Sequence, residues 1–212
     1  MTNLIPIFPL PLVAFPEEQL NLHIFEPRYK QLINECNEQQ KPFGIIPVIN
    51  KNLSECGTLM EISEVSKVYP DGKMDIKTKG IQLFKALNII EEIPEKLYSA
   101  AIVTYPENHR EGIPSLMSAL VKNMRKLHQL ISTHKKYDKP DDQLCSYNIA
   151  HHVGLSIEDE YCLLEYTHEI HRQEFLRRHL NETIKVLEKM DALKKRIQLN
   201  GHFKNIGGYP LR

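Results

Sequence analysis

The chain has 212 residues, of which 42% are hydrophobic and 25% charged, and its 27 Lys and Arg balance 27 Asp and Glu. This composition is typical of a folded globular protein rather than a disordered one. The balanced charge argues against a dedicated nucleic-acid-binding protein, which normally carries a basic excess that attracts phosphates. No apolar run reaches the about 18 residues that a membrane-spanning helix needs.

The N-terminal segment is apolar but does not have the pattern of a signal peptide. It lacks a basic head, and prolines interrupt it at positions 6, 9, 11 and 16. The four cysteines form neither a CxxC pair nor a zinc-ligand spacing; they are Cys36, Cys56, Cys145 and Cys162. We therefore expect reduced thiols and a cytoplasmic location.

Residues 1–106 have the patterns of strands rather than helices. Short apolar or alternating runs, separated by turn residues, predict about six or seven strands. The pair Asp71-Gly72 predicts a tight hairpin turn, because both central positions of such a turn favour positive φ. The alternation in "GTLMEISEV" changes parity near Ser63-Glu64, which predicts a β-bulge. Long bent strands favour a closed or half-closed barrel, since closure removes exposed strand edges.

One helix interrupts these strands, within the stretch "LNLHIFEPRYKQLI". Pro27 is predicted to be its first residue, because the N–H that proline lacks would have no helical partner there. Phe25 is expected to pack at the corner between strand and helix, and Glu26 to place its carboxylate near the positive helix N-terminus. Arg28 can reach back to Glu26, and Tyr29 can cover the edge of the barrel.

The second half of the chain has helical periodicity. Apolar residues at steps of three and four predict an amphipathic helix over residues 113–131. Another helix is expected over 141–153, with Gly154 as its stop. Ser156 has the position of an N-cap for the helical region that follows, which is interrupted near Thr167.

The last helical region has a heptad-like set of apolar residues, the pattern of a helix packed along its length. Its members are Leu176, Leu180, Leu187, Met190 and Ile197. Gly201 is a predicted helix stop. The sequence thus predicts an α+β protein with a β-rich barrel over 1–106, a bundle of about four helices over 107–200 and a C-terminal tail over 201–212.

Histidines provide the most conspicuous candidate for a metal site. On a helix, His168, His171 and His179 fall within roughly 80° of one another, and neutral imidazoles on one face can bind zinc. The same sector carries charged residues such as Glu165 and Arg172, which favours an ordinary solvated face. We therefore predict no metal ligand among them.

The remaining chemical candidates are weaker. The sequence contains no phosphate loop, dinucleotide-binding motif, zinc-protease motif or nucleophile elbow. Asp71 and Asp75 imitate a carboxylate pair, but a turn and a solvent-facing strand position explain them. Cys36 or Cys56 could be a nucleophile, although nothing in the sequence pairs either with a base. We therefore predict no catalytic residue and no cofactor.

The proline-spaced N-terminus, "PIFPLPLVAFPEEQ", leaves two interpretations open. The prolines are expected to deny Phe8, Leu10 and Phe15 a regular strand ladder. The segment is then either pinned across the mouth of the barrel or forms a partly exposed groove for apolar peptide.

The same stretches carry a family resemblance. "IPIFPLPLVAFPEEQLNLHIFEPRYKQLI", "FGIIPV", "GTLMEISEV", "YPDGKMDIKTKGIQLFKAL" and "YSAAIVTY" resemble, in order, the N-terminal substrate-binding domain of Lon proteases, and most of all its free-standing bacterial homologues. "LSIEDEYCLLEYTHEIHRQEFLRRHL" is similar to the helical part that follows in that family. The resemblance implies a PUA-like pseudobarrel followed by a helical bundle.

The resemblance also implies a function in recognition. In full-length Lon this domain contributes to substrate recognition and assembly, while ATP hydrolysis and peptide cleavage reside in other parts of the chain. The sequence contains neither a phosphate loop nor a serine–lysine protease segment. The catalytic activity of the family therefore cannot be transferred to it.

The leading hypothesis is a non-catalytic module that binds unfolded or apolar protein segments, as an adaptor in protein quality control. Its predicted contact residues are Phe8, Leu10, Phe15, Arg28 and Tyr29. Its expected partners include a Lon-type protease and further copies of itself, but neither a membrane nor nucleic acid. Two alternatives remain, namely an RNA-binding PUA-like protein and an enzyme with a His-bearing cleft between barrel and bundle.

Overall fold

Strands fill the first half of the structure and helices the second, which confirms the α+β class. The computed structural model describes residues 3–133 and 139–204, with side chains as far as residue 198. The strands are β1 (Asn3–Leu10), β2 (Gln19–Ile24), β3 (Phe43–Ile49), β4 (Asn52–Leu53), β5 (Cys56–Val68), β6 (Met74–Ile90) and β7 (Ala100–Thr104). The α-helices are α1 (Pro27–Gln39), α2 (Pro114–Leu130), α3 (Ser146–Ile149), α4 (Ile157–Glu165) and α5 (Glu169–Lys204).

Five strands close into a barrel. They pair in the order β1, β7, β6, β5 and β3, and a parallel pairing of β3 with β1 completes the ring. Gly57 lies where β5 passes β3, and a Cβ there would collide with the carbonyl oxygen of Ile45. Strand β2 lies outside the ring and pairs with the first part of β6. The predicted closed barrel is therefore confirmed.

The long hairpin of β5 and β6 differs in detail from its prediction. A register shift between Ile62 and Glu64 confirms the expected bulge. A tight turn does lie here, since the N–H of Gly72 donates to the carbonyl of Tyr69 at 2.9 Å, but its central residues are Pro70 and Asp71 rather than the predicted Asp71 and Gly72. Within it only Gly72 has positive φ, at 74°, and the side chain of Asp71 accepts a hydrogen bond from the backbone N–H of Lys73 at 3.1 Å.

The first part of the proline-rich N-terminus forms a strand. Strand β1 ends at Leu10 and pairs with both β3 and β7, with Pro6 opposite Ala100 and Pro9 opposite Ile46. The expectation that prolines deny this segment a strand ladder is therefore wrong for Phe8 and Leu10, whereas Phe15 lies beyond the strand as expected. Each proline removes only one hydrogen-bond donor, and that loss does not outweigh the burial of apolar neighbours such as Ile7.

In the helical half, α2 and the start of α4 lie where the sequence predicts them, whereas the region between them differs from the prediction. Helix α2 confirms the predicted 113–131 helix, and Ser156 caps α4 by accepting a hydrogen bond from the N–H of Asp159 at 3.1 Å. The expected helix over 141–153 is instead short α3 between two single 3₁₀ turns. Gly154, with φ of 75°, follows these turns.

Helix α5 also departs from its predicted packing. It runs through Gly201 to Lys204, so the predicted stop at Gly201 is wrong, and most of the expected tail lies outside the described residues. Met190 and Ile197 are 50% and 62% exposed, so packing along the whole helix was wrong as well. The bundle core ends near Leu187, because no other described element reaches further along α5.

One hydrophobic core spans the barrel and the bundle. The ring of Phe15, from the segment after β1, is fully buried and stacks on Tyr147 of α3 with centroids 5.0 Å apart. Leu83 of β6 belongs to the same core as Leu120 of α2 and Leu180 of α5. The domain boundary between residues 106 and 107 stays a prediction.

A buried guanidinium stabilises the contact between the barrel and the bundle. Arg172 of α5 is 1% exposed, and its Nε donates to the carboxylate of Glu169 at 2.9 Å. Its Nη1 donates to Asn108 and to the hydroxyl of Tyr147, both at 3.0 Å. The other oxygen of Glu169 accepts hydrogen bonds from the N–H and hydroxyl of Ser146 at 2.8 Å. The expectation of a solvated charged face around Arg172 is therefore wrong.

His151 makes a second link between the two halves. Its Nδ1 lies 2.7 Å from Glu160 of α4, and its Nε2 lies 3.2 Å from Glu18, which follows β1. Its ring packs on Phe15 at 4.9 Å between centroids. Burial opposes its charge, but the hydrogen bonds of Glu160 and Glu18 outweigh burial and raise the pKa of His151 to about 9.

We predict that Arg172→Leu lowers the free energy of unfolding by about 3–5 kcal/mol, because it leaves the buried carboxylate of Glu169 without its cation. Arg178→Leu, on the same helix with a side chain 71% exposed, is the control and should cost less than about 1 kcal/mol. Denaturant unfolding measures both, and similar losses would contradict the structural role of Arg172.

We also predict a pH-dependent contribution from His151. Its pKa in the folded protein lies above the unfolded value of about 6.5, so its stabilisation is complete below about pH 6.5 and is lost as pH rises through about 9. The difference in melting temperature between the wild type and His151→Gln should therefore shrink across this range. A difference that is constant with pH would show that the ion pairs contribute nothing.

Candidate protein-binding groove

A groove opens between β1, α1 and the segment 91–99 that connects β6 to β7. Its volume is about 240 Å³. Its apolar lining consists of Leu4, Pro6, Cys36, Ile93, Tyr98 and Ala100, and its polar lining of Glu35, Gln39, Lys41 and Lys96. We call this feature the β1–α1 groove.

Two local patterns place these side chains in the groove. Strand alternation buries Ile5 and Ile7 inside the barrel and leaves Leu4 and Pro6 on its outer face. Helix α1 buries Leu32, Ile33 and Cys36 against the barrel, so that its polar residues face outward. The groove is therefore lined by one strand face and one helix flank, which are both rigid elements.

Side chains of α1 fasten the connecting segment that forms the third wall. Gln31 donates to the carbonyl of Glu95 at 3.0 Å and accepts from the N–H of Leu97 at 2.8 Å. The carboxylate of Glu35 accepts from Lys96 at 2.8 Å and from the hydroxyl of Tyr98 at 2.6 Å. The segment is therefore held against α1 at four points.

Electrostatics in the groove come from two titratable groups on α1. Hydrogen bonds from Lys96 and Tyr98 lower the pKa of Glu35, so its carboxylate stays charged at neutral pH. Burial raises the pKa of the Cys36 thiol to about 11, so the thiol stays protonated and is not an activated nucleophile. The groove thus combines an apolar lining with a fixed charge pair at its side.

Three of the five residues predicted from the sequence as partner contacts are buried. Phe8 is 5% exposed and stacks on Tyr29, itself 6% exposed, with centroids 3.8 Å apart. Phe15 lies in the core between barrel and bundle. Of the two interpretations of the proline-spaced N-terminus, the exposed groove is wrong for Phe8 and Phe15, because both rings complete cores. A partner contact by any of the five residues stays a prediction.

The other two predicted residues reach the surface. Leu10 is partly buried at the end of β1. Arg28 extends back to Glu26, as expected, with its Nε 2.9 Å from the carboxylate, and its guanidinium lies 4.5 Å from the centre of the Tyr29 ring. Phe25 was expected to pack at the corner and instead is 57% exposed.

The histidine sector does not converge on one point. His168 stacks on His109 of the segment before α2, at 4.3 Å between centroids. His179 instead lies 2.9 Å from the carbonyl oxygen of Val153. Among residues 3–133 and 139–198, whose side chains the structure describes, no group of three His, Cys, Asp or Glu is arranged to hold a metal ion.

Comparison with known proteins decides the family. A family model described as the ATP-dependent protease La (LON) substrate-binding domain matches residues 4–198. The chain belongs to this family. That match covers the barrel, the groove and most of the helical bundle, and it confirms the resemblance drawn from the sequence.

Two solved structures of the same family have this fold. A Lon N-terminal domain protein from Xanthomonas campestris has a TM-score of 0.63 and 22% identity, over 83% of this chain and 98% of that one. The N-terminal domain of Lon protease from the Mycobacterium avium complex has a TM-score of 0.61 and 11% identity, over 84% and 98%. In the described part of the chain, no helix has the length and hydropathy that crossing a membrane requires.

Sequence reasoning missed the β1–α1 groove. Its walls come from β1, α1 and segment 91–99, and Gln31 and Glu35 contact residues more than 60 positions away. The exposure of Leu4 was the one available signal, because strand alternation places it opposite the buried Ile5 and Ile7.

We predict that Glu35→Ala loosens the third wall of the groove. The change removes the acceptor of Lys96 and Tyr98 and should lower stability by about 1–2 kcal/mol. Amide hydrogen exchange of residues 95–99 should become faster by a larger factor than exchange in the barrel strands, which changes only with the global stability. Glu38→Ala, an exposed residue of the same helix, is the control, and equal effects of both changes would contradict the fastening role of Glu35.

Proposed function

We propose that the protein binds extended, apolar segments of other polypeptides and does not cleave them. The observation that carries this proposal is the β1–α1 groove, an apolar depression between rigid elements that is open at the surface. Leu4, 62% exposed, lies in its lining together with Pro6 and Ile93. An apolar depression with an exposed apolar side chain in it is typical of a surface for protein contacts.

The size of the groove favours side chains of a polypeptide as ligands. Pockets that enclose a drug-sized molecule usually have about 300–1,000 Å³. The β1–α1 groove, at about 240 Å³, suits one or two apolar side chains of a chain that continues along the surface. Membership in a family named for substrate binding supports the same conclusion.

The expected affinity is low. Two buried apolar side chains contribute about 3–6 kcal/mol, from which the cost of association is subtracted. Binding should therefore be weak and reversible, with a Kd no tighter than tens of micromolar. Such binding suits a protein that holds unfolded segments briefly and releases them.

As a finer proposal, the protein is an adaptor in protein quality control that presents bound segments to a separate Lon-type protease. The match to a protease-associated substrate-binding family supports this role. The protonated Cys36 and the scattered histidines supply no activated nucleophile or metal centre in the described residues. A cytoplasmic location stays a prediction from the cysteine pattern.

We predict that Leu4→Asp weakens binding of a fluorescently labelled peptide of alternating Leu and Ser residues by at least about tenfold, because it puts a charge into the apolar lining. Leu4 is largely exposed, so the melting temperature should change little. Fluorescence anisotropy measures the binding.

Leu87→Asp provides the matched control, since Leu87 is 56% exposed on β6 and is not a lining residue of the groove. It should leave peptide binding unchanged. Equal binding by wild type and Leu4→Asp, or no binding by the wild type, would refute the proposal.

A further inference from the structure

The C-terminal half of α5 is a solvent-exposed helix. Leu176, Leu180 and Ile184 are buried in the bundle. From Glu188 to Gln198, every described residue is exposed. This part of α5 therefore presents surfaces that no described part of the chain covers.

Four apolar side chains form one line on this exposed helix. Val186, Met190, Leu193 and Ile197 are 56%, 50%, 58% and 62% exposed. Their steps of four, three and four residues place them within an arc of about 60° on the helix. We call this line the α5 stripe.

The α5 stripe lies on a side of the helix that is roughly 100° around from the face packed in the bundle. Ile184 and Leu187, which pack in the core, lie roughly 100–160° around the helix from Val186. Glu188, on that far side, pairs with Lys126 of α2 at 2.6 Å. The stripe is therefore a second apolar face and is not an extension of the bundle core.

Basic residues flank the α5 stripe on both sides. At about 100° per residue, Lys189 and Arg196 border it on one side and Lys194 on the other. None of the three forms an ion pair with any residue that the structure describes. Asp191 lies towards the back of the helix, where it pairs with Lys195 at 2.8 Å.

We propose that the α5 stripe binds an amphipathic helix of another protein whose apolar seam is flanked by acidic residues. The heptad-like spacing matches the seam of a coiled coil, where one apolar line packs against another. The flanking positions of such a seam select partners by charge, so the basic flanks favour Glu and Asp.

The same charges disfavour a second copy of this chain. In a parallel or an antiparallel pair of α5 helices, Lys189, Lys194 and Arg196 would face the basic flanks of the other copy, and like charges across a seam are destabilising. An anionic membrane is also a poor fit. A helix that lies in a membrane surface needs an apolar face about 100° wide or more, and the stripe is narrower.

The test uses two synthetic helical peptides with the same Leu and Ile seam, one flanked by Glu and one by Lys. The 212-residue chain should bind the Glu-flanked peptide, with an affinity that falls as salt is added, and should bind the Lys-flanked peptide at least about tenfold more weakly. Fluorescence anisotropy measures both. Equal binding of the two peptides, or binding of neither, would overturn the proposal.

Three variants examine which residues are responsible. Met190→Ser with Leu193→Ser should abolish binding of the Glu-flanked peptide. Lys189→Glu, Lys194→Glu and Arg196→Glu together should transfer the preference to the Lys-flanked peptide. Lys195→Gln, on the back of the helix, is the control and should leave binding unchanged; weakened binding by Lys195→Gln alone would place the contact elsewhere. These side chains are exposed, so the variants should fold normally, which circular dichroism verifies.

Two further measurements test whether the α5 stripe instead binds a second copy of the chain or a membrane. Light scattering should show a monomer at micromolar concentration. A stable dimer that Met190→Ser with Leu193→Ser abolishes would show that the stripe binds a second copy rather than an acidic helix. Co-sedimentation of the protein with anionic lipid vesicles would likewise overturn the proposal in favour of a membrane. Leu4→Asp, in the β1–α1 groove, should not affect the Glu-flanked peptide, so this proposal and the proposed function fail independently.

Discussion

The buried guanidinium of Arg172 is the interaction on which the arrangement of barrel and bundle depends. It contacts Glu169, Asn108 and Tyr147, and so connects α5, the segment before α2 and α3. Tyr147 in turn stacks on Phe15, which follows β1. A charge removed from water is stable only with its full set of partners, so these segments hold one relative position.

The two proposed surfaces differ in how they select a ligand. The β1–α1 groove is mainly apolar, and apolar burial is non-directional, so many sequences can satisfy it. The α5 stripe combines an apolar line with fixed basic flanks, and charge complementarity restricts the partner. An unselective groove and a charge-selective helix on one chain would suit the adaptor role that we propose.

Local features of the fold could be read from the sequence because they depend on local hydrogen bonds and periodicity. Pro27 begins α1, Ser156 caps α4, and a register shift lies at Ile62 and Glu64 as expected. The family was also recognisable, since its motifs extend over most of the chain. The candidate groove was not, apart from the outward position of Leu4 on β1.

Tertiary structure decided which faces are covered. The sequence pattern around Arg172 predicts a solvated face, yet residues from distant segments enclose its side chain. The pattern of Met190 and Ile197 predicts packing, yet no described residue covers them. Phe8 and Phe15 are buried for the same reason, because β3, α1 and α3 meet them. The sequence by itself determined most of the elements and the family, since these follow from neighbours along the chain. Burial, and with it the position of both proposed surfaces, follows from contacts between residues far apart in sequence, which no local pattern specifies.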